Sequence, residues 1–435
     1  MRRRFARLGA LALVMGSAAA VPQAEFAADV LPLVGANYSH KGLVGCDFSS
    51  EGILANGTFT RPLVKRQLAA MRAAGIETLR LFVWHMHDAS NQFWGVVTSA
   101  GGQLGGPEQK NLVNYATDAR LAGFKQLTVV FGPMWTNDPI GFPDNRYDSS
   151  LFQENWDFIK NVRQLVKQYG PASTHFDLLN EGAPSDYLAT KAQLGAYLAR
   201  LYSNYVDTFG NQDVTVSSIV AANDQSRISN LIDTLRATGR PLPTWFELHA
   251  YGGTLLEDLR ATDATLTAKG LTQPITIGET NYNDPDAAKA VKDFISSFSR
   301  RLAEVIEWPL TRGSGCRDIS VAPPYKANAF IEALTGSAPS TRLSAMVGPG
   351  SKMSLVSPYG NALTALEAGE YTLAVTDLSA KENLHLSGPG VNLSTKARFR
   401  GTTTWPLVLK PGLYRYRSDR PKSKLRGTIS VLAAG

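Results

Sequence analysis

Two segments decide the fold, Phe176-Asp-Leu-Leu-Asn-Glu181 and Ile275-Thr-Ile-Gly-Glu279. Each is a short apolar run that ends in a carboxylate and is followed by turn-forming residues. A strand of a buried parallel sheet shows this pattern, because both of its faces pack against apolar neighbours. We therefore predict two parallel strands with an acidic side chain at each carboxyl end. The alternative is that both glutamates are solvated loop residues.

Strand and helix signals alternate on both sides of these segments. Eight strands are predicted: Leu31–Tyr38, Thr78–Val83, Gln126–Phe131, His175–Leu179, Val214–Val220, Thr244–Ala250, Pro274–Gly278 and Val305–Trp308. Apolar residues three and four positions apart predict helices between most of them, including Arg61–Ala74, Leu151–Tyr169, Ala192–Thr208 and Asp286–Leu302. This alternation predicts an α/β fold, a (β/α)8 TIM barrel. An open doubly wound sheet is the alternative, but no Gly-rich turn follows the first strand to support it.

The last quarter of the chain differs in character. Gly, Ser and Pro concentrate between Thr335 and Gly350, which predicts a boundary between a barrel at residues 25–340 and a module at 345–435. Short strand-like runs follow, separated by turn signals: Lys352–Ser357, Gly369–Thr376, Asn383–Leu386, Thr402–Leu409, Gly412–Arg417 and Gly427–Leu432. We predict a small all-β sandwich domain.

The first 24 residues have the features of a secretory signal peptide. Met1–Arg7 is basic, Leu8–Val21 is apolar but too short and too rich in Ala and Gly to span a bilayer, and Ala24 is a plausible cleavage point. We expect a secreted or periplasmic protein without stable membrane insertion. An uncleaved anchor is the alternative.

The charge is unevenly distributed. The formal net charge of +7 includes four arginines of the predicted signal, which leaves about +3 for the mature chain. Residues 345–435 contain 12 Lys or Arg and 5 Asp or Glu, so the barrel region is mildly acidic. This distribution argues against a nucleic-acid enzyme. The basic module is suited to an anionic glycan or an envelope surface, and a solvated face without a partner is the alternative.

Cys46 and Cys316 are the two cysteines of the chain. In an oxidising compartment an even pair favours a disulfide. One cysteine follows the first predicted strand and the other follows the eighth, and these strands are neighbours when a barrel closes. We predict a bridge between them, with two free buried thiols as the alternative.

Polar and aromatic residues gather at the carboxyl ends of the predicted strands, where the active sites of such barrels lie. In chain order these residues are Arg80, Trp135, Asn180, Glu181, His249, Tyr251, Glu279 and Trp308. His85, His87 and Asp88 also lie there, but on one short loop without a distant partner, so we predict no metal and no cofactor.

The order and strand placement of these motifs resemble the clan of retaining glycoside hydrolases that includes cellulases, mannanases and xylanases. The resemblance covers roughly residues 30–335, and it departs at Gly182, where many members have Pro. It implies a β-linked oligo- or polysaccharide substrate, Glu279 as nucleophile and Glu181 as general acid and base. Asn180 would bind the sugar 2-hydroxyl and Trp308 would form the floor under the ring.

The residue chemistry is consistent with that mechanism. Glu279 must be ionised, and Arg80 and Tyr251 are placed to hold its oxygens. Glu181 must hold a proton, and we expect a partly apolar site beside a second carboxylate to raise its pKa. Retention of configuration implies a carboxyl separation of about 5–5.5 Å. The predicted substrate-binding set also includes His249 and Trp135. The alternatives are a structural ion pair for Arg80, a core role for His249 and a packing role for Trp135.

A carbohydrate-binding barrel without turnover is the alternative function. A copper protein is a third hypothesis, because the C-terminal module resembles plastocyanin-like (cupredoxin-like) domains in the segments Asn383–Val391, Thr404-Trp405, Pro411–Tyr414 and Tyr416–Asp419. Such a site needs two His, a Cys thiolate and usually a Met. Only His385 is present, and Ser418 occupies the apparent Cys position. We expect a scaffold without copper, whose basic cluster binds an anionic glycan or packs on the barrel.

Overall fold

The computed structural model describes residues 31–38, 52–56, 58–89, 95–139, 150–185, 191–308, 329–336, 342–348, 352–356 and 362–433. The predicted signal peptide, Cys46 and Cys316 lie outside these residues, so the structure does not test them. Within the described ranges, no helix combines the length and the apolar character needed to cross a membrane.

Ten strands form the larger sheet, and all of its strand pairs are parallel. They are β1 (Leu33–Tyr38), β2 (Thr78–Met86), β3 (Val97–Thr98), β4 (Gln126–Pro133), β5 (Ser173–Asp177), β6 (Val214–Thr215), β7 (Ser218–Ile219), β8 (Phe246–His249), β9 (Ile275–Asn281) and β10 (Leu302–Trp308). The order is β6-β5-β4-β2-β1-β10-β9-β8-β7, with β3 beside β2. Strands β6 and β7 stand at the two ends of this order, yet only two residues of the chain separate them. The two edges of the sheet therefore meet, and the sheet closes into a barrel. The predicted TIM-barrel fold is confirmed.

Helices follow most of the barrel strands. They are α1 (Arg61–Ala73), α2 (Gly106–Ala122), α3 (Ser150–Tyr169), α4 (Lys191–Phe209), α5 (Ser226–Ala237), α6 (Leu255–Ala268), α7 (Pro285–Ser297) and α8 (Ala329–Thr335). The Asp284 side chain accepts hydrogen bonds from two backbone N–H groups of the first turn of α7, and Pro285 takes the first helical position. The prediction that this helix reaches Leu302 is wrong, because the backbone is extended at Phe298 and Leu302 starts β10.

The chain after the barrel forms two antiparallel-rich sheets around one apolar core. Their strands are β11 (Arg342–Val347), β12 (Met353–Val356), β13 (Ala365–Glu367), β14 (Gly369–Asp377), β15 (His385–Gly388), β16 (Val391–Ser394), β17 (Gly401–Leu409), β18 (Gly412–Arg417) and β19 (Arg426–Leu432). The sheet orders are β12-β11-β14-β17 and β13-β19-β18-β15-β16. Strand β11 lies in the stretch between Thr335 and Gly350 where the domain boundary was predicted. Its alternate residues Leu343, Ala345 and Val347 are buried, so these sheets begin at Arg342 and not at residue 345.

His385 and Ser418, the positions compared with copper ligands, take part in structural hydrogen bonds. Nδ1 of His385 lies 2.7 Å from Asp419 Oδ1, and Nε2 lies 2.7 Å from Asn392 Oδ1. Ser418 Oγ donates to Asn383 Oδ1 at 3.3 Å. Neither ring nitrogen of His385 presents a free lone pair, which a copper ligand needs. The likeness to plastocyanin-like domains stays a prediction.

One glycine of the barrel is required by close packing. Gly132 on β4 lies against the indole of Trp84, and a Cβ at this position would come within 1.9 Å of that ring. The two strands are directly paired there, with Trp84 opposite Gly132. A larger residue at 132 therefore has to displace the indole or separate the strands.

We expect Gly132→Ala to lower the free energy of unfolding by about 1–3 kcal/mol, because overpacking forces the neighbouring ring out of position. Denaturant unfolding followed by tryptophan fluorescence measures the loss. Gly106→Ala is the control, because no atom lies within 4 Å of a Cβ added there. Equal stability of the two variants would contradict the packing argument.

Candidate active site

A single arginine organises the interior of the barrel at the carboxyl ends of its strands. Arg80 on β2 is fully buried. Its Nη1 donates to Glu279 Oε1 at 2.7 Å, and its Nη2 donates to Asp177 Oδ2 at 2.9 Å. Its Nε lies 2.7 Å from Glu247 Oε1, an ion pair without hydrogen-bond alignment. Because the guanidinium holds its donors in one rigid plane, it links β2 to β5, β8 and β9 at once.

Neutral groups complete the surroundings of Arg80. Nη1 also donates to Asn37 Oδ1 at 3.2 Å, Nη2 donates to Asn180 Oδ1 at 3.0 Å, and the Phe82 ring lies 4.8 Å from the guanidinium carbon. Burial lowers the pKa of Arg80, but the charges of Glu247, Glu279 and Asp177 outweigh it and raise the pKa above its usual value. The three carboxylates together carry more negative charge than the single positive charge of Arg80 can balance. Burial, and then the charge of Glu247, raise the pKa of Asp177 to about 6.

Glu279 on β9 is held in one orientation. Oε1 accepts from Arg80, and Oε2 accepts from the Tyr251 hydroxyl at 2.5 Å. Its side chain is 7% exposed. Burial and the nearby charge of Glu279 raise the pKa of Tyr251 well above its usual value, so the phenol keeps the proton that it donates. The carboxylate is therefore fixed by two donors at the edge of the barrel interior.

Glu181 follows β5 in a strained conformation. Its φ is +51°, a left-handed value that residues other than glycine rarely adopt. Its N–H donates to Ser217 Oγ at 2.8 Å, and the Ser217 N–H donates to Asp177 Oδ1 at 3.0 Å. Since Asp177 is also a partner of Arg80, the same cluster that holds Glu279 fixes the backbone of Glu181.

His249 connects the two glutamates. The ring is fully buried, with Nδ1 3.0 Å from Glu181 Oε1 and 3.6 Å from Glu279 Oε1. One ligand atom from each of these three residues lies within 4.8 Å of the others. The side chain of Glu181 is 34% exposed and that of Glu279 is almost buried. The two carboxylates therefore face each other, one open to solvent and the other enclosed.

The pKa of Glu181 differs in direction from the sequence-based expectation. Burial raises it, but the hydrogen bond from His249 and the charges of His249, Arg80 and Arg227 bring it below its usual value. Burial lowers the pKa of His249, while Glu279 and the contact with Glu181 raise it to about 9. Arg80 Nη2 lies 3.1 Å from His249 Nε2 and opposes a second ring proton, since a guanidinium only donates. In both protonation states Nδ1 carries a proton, so Glu181 is the acceptor.

The group formed by Glu181, His249 and Glu279 has the spacing of a metal site, but its charges do not suit a cation. The guanidinium of Arg80 lies 2.7 Å from Glu279 Oε1 and would repel a metal bound there. Nδ1 of His249 is engaged as a donor to Glu181, whereas a metal requires its lone pair. The arrangement fits proton transfer and nucleophilic attack better than metal binding.

The remaining predicted residues lie around the two carboxylates or at the rim. Asn180 and Tyr251 contact the Arg80 cluster, and Trp308 packs edge-on against Phe82 with ring centroids 5.4 Å apart. Trp135 follows β4 with φ +46° and is 47% exposed. Arg80 and His249, which were predicted as substrate contacts, are fully buried and contact Glu279 and Glu181. Their role as substrate contacts stays a prediction.

Four residues of the site were not found from the sequence: Asn37, Asp177, Ser217 and Glu247. For two of them, Glu247 and Asp177, the sequence does contain a feature that could have identified them. Glu247 and His249 are two positions apart on β8, and residues two apart in a strand point to the same face. Asp177 stands at the end of β5, where a charge inside an apolar run needs a partner. Ser217 offers no such signal, because its role depends on the backbone of another strand.

Together, the fold and the site define a (β/α)8 barrel in which one buried arginine supports two facing carboxylates at the carboxyl ends of the strands. No known protein family matches this chain, and a search of curated proteins gives no match either.

Several solved structures resemble this chain at low similarity. A modular endo-beta-1,4-mannanase from Cellulomonas fimi is 13% identical, with 93% of this chain and 94% of that chain covered and a TM-score of 0.42. An endo-1,4-beta-mannanase from Rhizomucor miehei is 13% identical, with 71% and 96% covered and a TM-score of 0.45. A GH5_18 structure from Bifidobacterium longum is 12% identical, with 78% and 87% covered and a TM-score of 0.49. At this level the function has to be argued from the site itself.

We expect Arg80→Met to lower the free energy of unfolding by about 3–5 kcal/mol, because it leaves three buried carboxylates without their cation. The deficit should be larger near pH 8 than near pH 5. At lower pH, Asp177 (pKa about 6) takes up a proton, and the repulsion among the three carboxylates falls. Denaturant unfolding across pH measures both effects.

The control for this experiment is Arg61→Met. Arg61 pairs with Asp118 at 2.8 Å, but its side chain is 43% exposed, so the loss should be about 0–1 kcal/mol. A loss at Arg80 as small as that at Arg61 would refute the central role of Arg80.

Proposed function

We propose that this protein is a retaining glycoside hydrolase that cleaves a β-linked glycan through a glycosyl-enzyme on Glu279. The observation that carries the proposal is the pair of facing carboxylates, with oxygens within 4.8 Å and with different surroundings. Retaining enzymes need two carboxyl groups about 5–5.5 Å apart, close enough for direct attack by one of them. We also propose secretion or export to the periplasm, on the basis of the first 24 residues alone.

Glu279 is assigned as the nucleophile. Arg80 and Tyr251 each hold one of its oxygens, which aims the carboxylate at the anomeric carbon and limits its motion. Attack forms the bond between a Glu279 oxygen and the anomeric carbon while the glycosidic bond breaks. Water later attacks the same carbon and releases Glu279.

Glu181 is assigned as general acid and then general base. It is the more exposed of the two carboxyl groups, so it can reach the leaving-group oxygen and later a water molecule. Its proton goes to the departing oxygen in the first step and is recovered from water in the second. Because His249 and nearby cations favour its ionised form in the free site, catalysis needs acidic conditions or a substrate that reverses this bias.

Aromatic and amide groups supply substrate contacts. The half-buried Trp308 and the exposed Trp135 offer π-faces on which a sugar ring packs through its C–H groups. Asn180 is fixed by its hydrogen bond to Arg80, which leaves its amide nitrogen for a sugar hydroxyl.

The outward face of the second C-terminal sheet is a proposed docking surface for an anionic glycan. We call it the basic face and define it by Arg415, Arg417 and Arg426. Arg417 is directly opposite Arg426, a like-charge pair that weakens a sheet, and Asp419 offsets only part of it through its ion pair with Arg417 at 3.6 Å. Residues 412–433 contain six Lys or Arg and one acid, Asp419, so the segment cannot neutralise itself.

The two-carboxylate mechanism predicts different defects for Glu279→Ala and Glu181→Ala on a panel of aryl β-glycosides. Without its nucleophile, Glu279→Ala should show no measurable turnover. Glu181→Ala should lose about 10²–10⁴-fold with poor leaving groups and much less with dinitrophenolate, which needs no acid. Azide should restore its turnover and yield a β-glycosyl azide.

Glu257→Ala, an exposed glutamate on α6, is the control and should behave as wild type. Product stereochemistry is followed by NMR. An α-configured first product would refute retention. Tight binding of glycans without any hydrolysis across the panel would favour the carbohydrate-binding alternative.

The electrostatics of Glu181 predict the pH dependence with neutral substrates. The acid must be protonated, so kcat/KM should fall as the pH rises through the lowered pKa of free Glu181. His249→Phe removes the donor that favours the carboxylate, so this alkaline limb should move to higher pH. His249→Asn keeps an N–H near Nδ1 and should move it less. An unchanged limb in His249→Phe would contradict the assignment of Glu181.

A further inference from the structure

Arg227 is a cation beside the site that the mechanism does not use. It lies in the first turn of α5, the helix that follows β7 at the carboxyl end of the barrel. Its charge acts on the carboxyl of Glu181, which places the guanidinium within electrostatic range of that group. Three residues along the same helix, Asn230 donates to Pro184 O at 3.1 Å. Residues three apart share a helix face, so Arg227 is on the side of α5 that meets the loop after Glu181.

The guanidinium of Arg227 is incompletely satisfied. Its Nη1 is buried, yet it has no hydrogen-bond acceptor, and Arg227 forms no ion pair within the described part of the chain. A buried donor on a permanent charge is costly when nothing accepts from it. Three acids of these loops accept from other groups: Asp224 from Ser226 N–H, Asp258 from Ala222 N–H, and Glu181 from His249. Among the described residues, no anion accepts from Nη1 of Arg227.

We propose that Arg227 binds an anionic substituent, a carboxylate or a sulfate, of the glycan and so restricts the enzyme to acidic polysaccharides. The inference rests on the proposed function, because it assigns the substrate class of the same site. A guanidinium binds either oxyanion through two parallel N–H groups, which adds orientation to the charge attraction.

The proposal also supplies what the free site lacks. In the free protein, Arg227 is one of the charges that favour ionised Glu181. An anion bound to Arg227 cancels that influence and adds a negative charge nearby, and both changes favour protonated Glu181. The correct substrate thereby favours protonation of Glu181, whereas a neutral analogue leaves the pKa of Glu181 as it is in the free protein.

The test uses the full-length protein and three sets of β-linked oligosaccharides: uronate-containing, the same chains after carboxyl reduction, and sulfated. Dissociation constants are measured by calorimetry in the Glu279→Gln background, and hydrolysis is measured with the wild type. We expect uronate or sulfated chains to bind about tenfold or more tightly than the reduced chains. Which of the two charged sets binds identifies the oxyanion.

Variants then locate the preference. Arg227→Gln should abolish the preference for charged chains, and Arg227→Lys should keep only part of it. Arg236→Gln, on the last turn of the same helix, should keep all of it, since Arg236 donates to a backbone oxygen remote from the site. With a charged substrate, the alkaline limb of kcat should lie at higher pH than that of kcat/KM, and Arg227→Gln should remove the difference. A thermal unfolding curve for each variant separates loss of binding from loss of fold.

The outcomes separate the two proposals. Equal binding of charged and reduced chains, or no glycan binding, overturns the role of Arg227. Hydrolysis of neutral chains in that case leaves the glycosidase proposal standing. Charge-selective binding that depends on Arg227, without hydrolysis of any chain, overturns the glycosidase proposal and supports the anion site.

Discussion

The ion cluster around Arg80 is the constraint on which the rest of the site depends. One guanidinium contacts Asp177, Glu247 and Glu279, which belong to three different strands. A barrel interior filled with aliphatic side chains would be as compact, but it would not specify the relative height of these strands. Burying these charges has a large desolvation cost, and their contacts hold β2, β5, β8 and β9 in a single register.

The two carboxylates differ in their surroundings because they are linked to this cluster in different ways. Glu279 is bound to Arg80 directly, while Glu181 is linked to it through Ser217 and Asp177 and through His249. The direct contact encloses the first and fixes both of its oxygens. The indirect links fix the backbone of the second, including its left-handed φ, and leave its side chain partly exposed. In the proposed function, these two environments suit the nucleophile and the proton donor that double displacement requires.

Positive charges beside Glu181 lower its pKa, although the proposed general acid has to hold a proton. His249, Arg80 and Arg227 favour ionised Glu181, and Nη1 of Arg227 is a buried donor atom without an acceptor. The first two are bound to other members of the site and cannot respond to a ligand. A substrate anion at Arg227 is therefore the simplest way in which binding can change the proton affinity of Glu181 without moving the cluster.

The local sequence pattern was enough to predict the eight strands, most of the helices and the two glutamates as site residues. A strand that is buried on both faces needs an unbroken apolar run. An acidic residue at the end of such a run therefore stands out. Short strands such as β13 and β16 and the strand β11 inside a Gly- and Pro-rich stretch were missed, since few residues carry their signal. Tertiary structure alone decided that Arg80 and His249 are enclosed, that Ser217 holds Glu181, and that the pKa of Glu181 falls. These properties depend on distances between strands far apart in the chain, and residue periodicity does not encode such distances.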